Sequence, residues 1–127
     1  MLKPLKIHAK NFLPFVHFDK EQSIFKIEGK SIPEDSAEFY SGVFEWLNLY
    51  KEQPNNETIL VLKLDYYNSS SAREIANIIK LFDELYQKGH NIKIQWMYNP
   101  DDEVMKENGE DFSILFSVPI DIIDYIE

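Results

Sequence analysis

Residues 60–75 have the sequence LVLKLDYYNSSSAREI, which passes from an apolar strand through a polar hinge into an amphipathic helix. We define the hinge as residues 68–71, Asn-Ser-Ser-Ser. The start of a helix carries backbone N–H groups without intrahelical partners and the positive end of the helix dipole, so an anionic group is stabilised there. A phosphorylated serine is such a group, and the hinge is therefore a candidate site of regulation by phosphorylation.

The segments on both sides of the hinge alternate between strand and helix patterns. The predicted order is a hairpin of two short strands, then helix, strand, helix, strand, helix and a last strand or short helix, in turn residues 15–28, 33–51, 57–66, 71–88, 91–98, 99–114 and 118–126. This order predicts an α/β sandwich, in which an N-terminal hairpin is followed by helices and strands alternating on a mixed sheet. Right-handed crossovers make the long strands parallel.

The segments that flank the central strand permit finer predictions. Residues 57–66 are nearly continuous in Ile, Leu and Val, which is typical of a strand covered on both faces. Ser71 and Glu74 fit the S-x-x-E capping box, so Ser71 is predicted to cap the second helix, and Asn99 is predicted to cap the third. Because the carboxyl ends of parallel strands meet at one edge, we expect residues 98–103 to surround the hinge serines with aromatic and carboxylate groups.

The first predicted helix is apolar or aromatic around most of its circumference, which is wider than the stripe of a helix that lies on a sheet. Either the helix is deeply packed, or some of its aromatic residues form a surface for a partner. Trp46 and Trp96 are predicted to be core residues. Asp65 ends the central strand beside the hinge, where it could cap a loop, orient the Ser69 hydroxyl or help to bind a kinase's metal ion.

Composition and charge limit the classes of function. The 127 residues are 44% hydrophobic, which predicts one folded domain over residues 1–127. A net charge of −9 argues against binding nucleic acid or an anionic membrane, because both require a basic face. Neither a signal peptide nor a membrane-spanning apolar run is present, so we expect a cytoplasmic protein with protein partners and no membrane insertion.

Few residues in the sequence offer reactive chemistry. The chain has no cysteine, its three histidines are far apart, and its four glycines stand singly, so no thiol nucleophile, metal motif or phosphate-binding loop is present. We therefore predict no cofactor, no metal and no catalytic activity. An alternative remains open: the acidic residues from position 101 to position 111 could bind Mg²⁺ or provide acid–base chemistry, although helix-start chemistry and a solvated face explain them more simply.

Three blocks of residues, in the right order, resemble the SiaC-type regulatory phosphoproteins of bacteria. These are small single-domain proteins with a fold like that of anti-sigma-factor antagonists (STAS-like). The first block has Phe18-Asp19, then residues 29–34, Phe39-Tyr40 and Trp46-Leu47; the second is residues 64–72; the third has residues 96–98, 102–105 and 107–110.

The resemblance implies a phosphorylation site and a set of partners. The family pattern at the hinge is similar to Asn-Thr-Ser-Ser, with the threonine as phosphoacceptor; here Ser69 takes its place and Ser70 is a rival acceptor. The remaining hinge and binding residues would be Asp65, Tyr67, Asn68 and Ser71. A kinase and a phosphatase would control which form engages a diguanylate cyclase in cyclic-di-GMP and biofilm signalling. An anti-sigma-factor antagonist is the other partner-switch alternative.

Overall fold

The computed structural model describes residues 2–125, which form six strands and three helices. In chain order these are β1 (Leu5–Ile7), β2 (Phe15–Asp19), β3 (Ile24–Ser31), α1 (Ser36–Tyr50), β4 (Thr58–Tyr67), α2 (Ser69–Gln87), β5 (Ile92–Tyr98), α3 (Glu103–Leu115) and β6 (Ile120–Asp124). The last element is therefore a strand, and Ile126, where it was predicted to end, lies outside the described residues. Within residues 2–125, none of the helices is both long and apolar enough to span a membrane.

The six strands form one mixed sheet in which they follow chain order from β1 to β6. The pairs β1–β2 and β2–β3 are antiparallel, whereas β3–β4, β4–β5 and β5–β6 are parallel. The predicted α/β class, hairpin and parallel long strands are thus confirmed. Strand β1 was not predicted, because three residues are too few to show an alternating pattern.

The prediction that the central strand is covered on both faces is wrong. Along β4, the buried residues Thr58, Leu60, Leu62 and Leu64 alternate with residues that are only half-buried. Right-handed crossovers between sequential parallel strands all place their helices on the same face, so α1, α2 and α3 share one face of the sheet. The other side of β4, which we call the open face, carries its apolar residues without a covering helix.

Helix α1 is deeply packed through its aromatic residues. Tyr40, Trp46 and Tyr50 are buried, and the Trp46 and Tyr50 rings stack with centroids 5.3 Å apart. Phe25 of β3 lies 4.9 Å from the Tyr50 ring, which ties the helix to the hairpin. The packed interpretation of this helix is therefore confirmed for these residues, while Leu49 remains 60% exposed.

Helix α2 begins earlier than predicted, and its cap is Asn68. The Asn68 side-chain oxygen Oδ1 accepts a hydrogen bond from the Ser71 backbone N–H at 2.9 Å. The predicted Ser71 cap is wrong because Asn68 is an equally good capping residue three positions earlier, and the Ser71 hydroxyl instead bonds to Ser31 on β3.

Helix α3 begins later than predicted. Its cap is Asp102, whose carboxylate accepts from the Met105 backbone N–H at 3.0 Å. Asn99, the predicted cap, accepts from the Asp101 N–H and closes a turn ahead of the helix. The Asp102 backbone N–H donates to the Asn99 carbonyl at 2.8 Å, so the turn occupies residues 99–102 and the helix begins after it.

Trp96 of β5 and Gly109 of α3 make a close approach between sheet and helix. The Trp96 ring is 1% exposed, as predicted for the core, and its Nε1–H donates to the Met105 carbonyl at 2.9 Å. A Cβ added at Gly109 would overlap Trp96 Cδ1, so only glycine allows α3 to lie this close to the ring. The position of α3 therefore depends on glycine, which has no side chain, at position 109.

Alanine at the two helical glycines is expected to have opposite effects. Gly109→Ala should lower the free energy of unfolding by about 1–3 kcal/mol, because the new methyl group displaces the Trp96 ring or the helix. Gly42→Ala in α1, where nothing lies within 4 Å of the added Cβ, should raise it by about 0.5–1 kcal/mol through helix propensity. Urea denaturation of both variants tests this, and a stabilised Gly109→Ala would contradict the close packing of α3.

Candidate functional site

A β-bulge at the carboxyl end of β4 sets the direction of the residues that enter the hinge. Gly29 of β3 pairs with Leu64, but the next residue, Lys30, pairs with Tyr66, so Asp65 is an extra residue in β4. A bulge reverses the alternation of side chains that follow it. Tyr66 is consequently 54% exposed, and Tyr67 points to the helix-covered side.

Tyr67 joins the end of β4 to α3. Its ring meets Trp96 edge-on with centroids 6.3 Å apart, and its hydroxyl oxygen accepts from the Asn108 side chain at 2.8 Å. Burial raises the pKa of Tyr67, so the phenol stays neutral to a higher pH than that of a free tyrosine. Tyr67, which was predicted to belong to the hinge site, therefore lies beneath the hinge and packs the end of β4 against α3.

Five hydroxyl groups, from β3, α1 and α2, form a continuous set of hydrogen bonds that we call the hydroxyl chain: Tyr40, Ser31, Ser71, Ser36 and Ser70. At its inner end, the Ser31 hydroxyl donates its single proton to Ser71 Oγ at 2.9 Å. The Tyr40 hydroxyl, 2.6 Å from Ser31 Oγ, must therefore be the donor in that contact.

The outer end of the hydroxyl chain closes on the helix cap. Ser70 Oγ donates to Asn68 Oδ1 at 3.1 Å, so Ser36, whose Oγ lies 2.6 Å from Ser70 Oγ, is the donor to Ser70. Ser71 Oγ lies 3.5 Å from Ser36 Oγ and completes the series in the same direction. Every donor points toward Asn68, an arrangement in which neighbouring hydrogen bonds strengthen one another.

The three serines of the hinge therefore occupy three different environments. Ser71 is buried, with its hydroxyl in the hydroxyl chain. Ser70 is exposed as a residue, but its hydroxyl is engaged by Ser36 and Asn68. Ser69 is exposed, and within residues 2–125 its hydroxyl makes no hydrogen bond. Of the three, only Ser69 presents an unengaged hydroxyl to solvent.

The predicted surroundings of the serines are wrong, because hydroxyl groups of β3 and α1 contact them instead of carboxylates. The expected segment after β5 does lie at the same edge of the sheet as the end of β4. There, a cavity of about 390 Å³ is lined by Leu64, Asp65, Asn99, Asp101, Asp102 and Tyr125. Asp65 Oδ1 accepts from the Tyr125 hydroxyl at 3.4 Å, which turns this carboxylate toward the cavity.

The acidic residues that follow β5 have a structural role in the described part of the chain. Asp102 caps α3, and Glu103 lies in its first turn, where the helix dipole favours a carboxylate. Across residues 2–125, no three acidic or histidine side chains are grouped so that they could hold a metal ion.

Four residues that contact the hinge, Tyr67 or the hydroxyl chain were not assigned to the hinge site from the sequence: Ser31, Ser36, Tyr40 and Asn108. Ser31, Tyr40 and Asn108 were quoted among the blocks that resemble a family, but a resemblance between sequences does not show which side chains touch. Ser36 lies 34 residues from Ser70 in sequence. Ser31 ends β3 directly after Glu28, Gly29 and Lys30, so no local pattern marked it as a buried residue.

Comparisons with known proteins agree on one family. Residues 7–125 match the model of the SiaC family of regulatory phosphoproteins. An uncharacterized protein of Pseudomonas aeruginosa strain UCBPP-PA14 is 27% identical over 121 residues, which cover 95% of this chain and 96% of that protein.

Solved structures give the same result. SiaC of P. aeruginosa is similar with a TM-score of 0.88 and 25% identity, over 97% of this chain and 99% of that one. A second match, with a TM-score of 0.90 and 27% identity over 95% of this chain and 99% of that one, comes from the crystal structure of the diguanylate cyclase SiaD in complex with its activator SiaC, also from P. aeruginosa.

The buried phenol of the hydroxyl chain is expected to make stability fall at high pH. Burial raises the pKa of Tyr40 to about 12 from about 10, with the Ser31 hydrogen bond opposing the shift. Its stabilising contribution is thus complete below pH 10 and is lost as the pH rises toward 12, by about 2–3 kcal/mol.

Urea denaturation between pH 8 and pH 12 measures this loss, and Tyr40→Phe is the control because it retains the ring without the ionisable hydroxyl. The variant should be less stable at pH 8 but should lose less stability above pH 10. Identical losses in both proteins would show that Tyr40 ionises as freely in the folded chain as in the unfolded one.

Proposed function

The chain belongs to the SiaC family of regulatory phosphoproteins, and from this premise we propose that it is a partner switch that controls a diguanylate cyclase. A kinase phosphorylates Ser69, a phosphatase reverses the modification, and the unmodified form binds the cyclase in the cytoplasm. The protein acts through binding and has no catalytic activity of its own. The observation that carries the proposal is the exposed, unengaged Ser69 hydroxyl at the start of α2.

The start of α2 is suited to carry a phosphate. Ser69 is the first residue of the helix, and the N–H groups of Ser69 and Ser70 make no hydrogen bond to any residue between 2 and 125. The Ala72 N–H forms the first intrahelical bond, to the Asn68 carbonyl. A phosphate adds about −1.5 to −2 charges at neutral pH, which the free N–H groups and the helix dipole stabilise. Phosphorylation should therefore leave the fold intact.

The phosphate should instead change how a partner binds over the hinge. The carboxylates of Asp65, Asp101 and Asp102 lie together at this edge of the sheet, in a chain whose net charge is already −9. A partner docked over both the unmodified hinge and this edge would have to bury an additional anion. An unpaired buried phosphate costs several kcal/mol, which is enough to reverse an association of micromolar affinity.

Exposed apolar side chains give such a partner something to bind. Tyr66 is 54% exposed beside the hinge, and Val104, two residues after the Asp102 cap, is 67% exposed. Aromatic side chains are frequent anchors of protein interfaces. Because the bulge at Asp65 turns Tyr66 outward, the same local distortion that aligns the hinge also supplies an anchor.

Substitutions at Ser69 should separate binding from modification. Ser69→Ala should bind the cyclase of the same organism with unchanged affinity and resist the kinase. Ser69→Asp should bind it more weakly, by roughly tenfold, at nearly unchanged melting temperature. This loss should be smaller than the loss caused by a phosphate, because a carboxylate carries less charge. The enzymatically phosphorylated protein, measured by isothermal titration calorimetry, should show the largest loss. Ser41→Asp places the same charge on an exposed position of α1 and is the matched control.

Two outcomes would refute the proposal. The first is equal affinity of the phosphorylated and unphosphorylated proteins for the cyclase. The second is a pull-down with unmodified protein in which mass spectrometry identifies an anti-sigma kinase and no cyclase; that result would favour the anti-sigma-factor antagonist.

A further inference from the structure

We propose that Ser36 and Asn68 select the phosphate acceptor, because together they engage the hydroxyl of Ser70 and leave that of Ser69 free. This inference rests on the proposed phosphorylation of the hinge. It assigns a positioning role to Ser36, a residue of α1 that lies 34 positions from its contact in the hinge.

The chemistry of phosphoryl transfer sets what an acceptor hydroxyl must offer. Its oxygen attacks the γ-phosphorus of a nucleoside triphosphate and forms the new P–O bond, while the bond to the β–γ bridging oxygen breaks and the nucleoside diphosphate leaves. The hydroxyl proton passes to a base of the kinase. An acceptor therefore needs a lone pair directed at the phosphorus and a proton that is free to move to that base.

Ser70 meets these requirements less well than Ser69 in this structure. Its Oγ lies 2.6 Å from Ser36 Oγ and accepts the Ser36 proton, so this lone pair is directed toward α1. Its own proton is donated to Asn68 Oδ1 at 3.1 Å. Attack by Ser70 would require the bond to Asn68 to break so that the proton could pass to the base of the kinase, and the contact with Ser36 restricts the directions in which the remaining lone pair can point.

Ser36 is held in place by the rest of the hydroxyl chain. The residue is only 6% exposed, and its hydroxyl receives the weak contact from Ser71 at 3.5 Å. Behind Ser71, the Tyr40 and Ser31 hydroxyls continue the same direction of donation into the core. Reversing the Ser36 donor would therefore require the buried hydroxyls to change partners as well.

Ser69, by contrast, has an exposed hydroxyl that makes no hydrogen bond within the described residues. Two hydrogen bonds of ordinary net strength correspond to a preference for Ser69 over Ser70 on the order of tenfold or more. The selection thus comes from the environment of the competing serine and not from a feature of Ser69 itself.

Phosphate mapping on variants of the full chain tests this assignment. Each protein is incubated with Mg²⁺, ATPγS and a lysate of the organism that encodes the chain. The thiophosphorylated residue is then located by mass spectrometry. The wild type should be modified at Ser69, and Ser69→Ala should remain unmodified at the hinge. Adding Ser36→Ala to Ser69→Ala should release Ser70 and restore modification there, whereas adding the exposed Ser41→Ala should not.

The melting temperature of each variant is recorded, since Ser36→Ala removes a buried hydroxyl. If the double variant does not fold, Asn68→Gly in the Ser69→Ala background frees the Ser70 proton instead, because glycine is still accepted as a helix cap. Modification of Ser70 in either folded double variant supports the inference.

Three other results would contradict the inference or the proposed function. Modification of Ser70 in Ser69→Ala alone, or an unmodified Ser70 in a folded double variant, would overturn the role of Ser36 and Asn68 while leaving phosphorylation of Ser69 established. A wild type that receives no phosphate at the hinge would overturn the proposed function, and this inference with it.

Discussion

One acceptor atom, Oδ1 of Asn68, holds the start of α2 together. It accepts the Ser71 backbone N–H and the Ser70 hydroxyl at 2.9 and 3.1 Å, so the cap that begins the helix also ends the hydroxyl chain. The Asn68 backbone N–H in turn donates to the Ser31 carbonyl at the end of β3. Helix start, strand end and the neighbouring helix α1 are therefore positioned by a single side chain and its immediate partners. Regulation at this point acts on a place that the fold has already ordered.

Much of the architecture could be predicted because it follows from local patterns. The hairpin, the three helices and the parallel strands were readable from apolar periodicity and from Gly and Pro boundaries. The caps were less certain, because Asn68 and Ser71 are both good capping residues and local sequence does not decide between them. The number of covered faces of β4 could not be read from the strand at all. It depends on the order of the strands in the sheet, and apolar residues on an open face have the same composition as buried ones.

The sequence locates the candidate site but does not identify its acceptor serine. The three-serine hinge and the family resemblance located it, but they did not distinguish Ser69 from Ser70. That distinction depends on Ser36, and the direction of its donor depends on Ser31 and Tyr40 further inside the protein. Contacts between residues 34 or 40 positions apart leave no pattern in a single sequence. The described structure supplies them, and with them a physical basis for choosing between two chemically identical side chains.

The extra residue in β4 has a consequence for how this chain can vary. Leu64 pairs with Gly29 and Tyr66 with Lys30, so Asp65 is the residue that the ladder does not pair. Removing Asp65 would place Tyr66 directly after Leu64 and restore regular alternation, with Tyr66 still directed outward and Tyr67 still against Trp96. Removing a residue from the regular part of β4, between Thr58 and Lys63, would instead shift the register and exchange the faces of the side chains on one side of the deletion. The strand should therefore tolerate a deletion at position 65 better than one in its regular part.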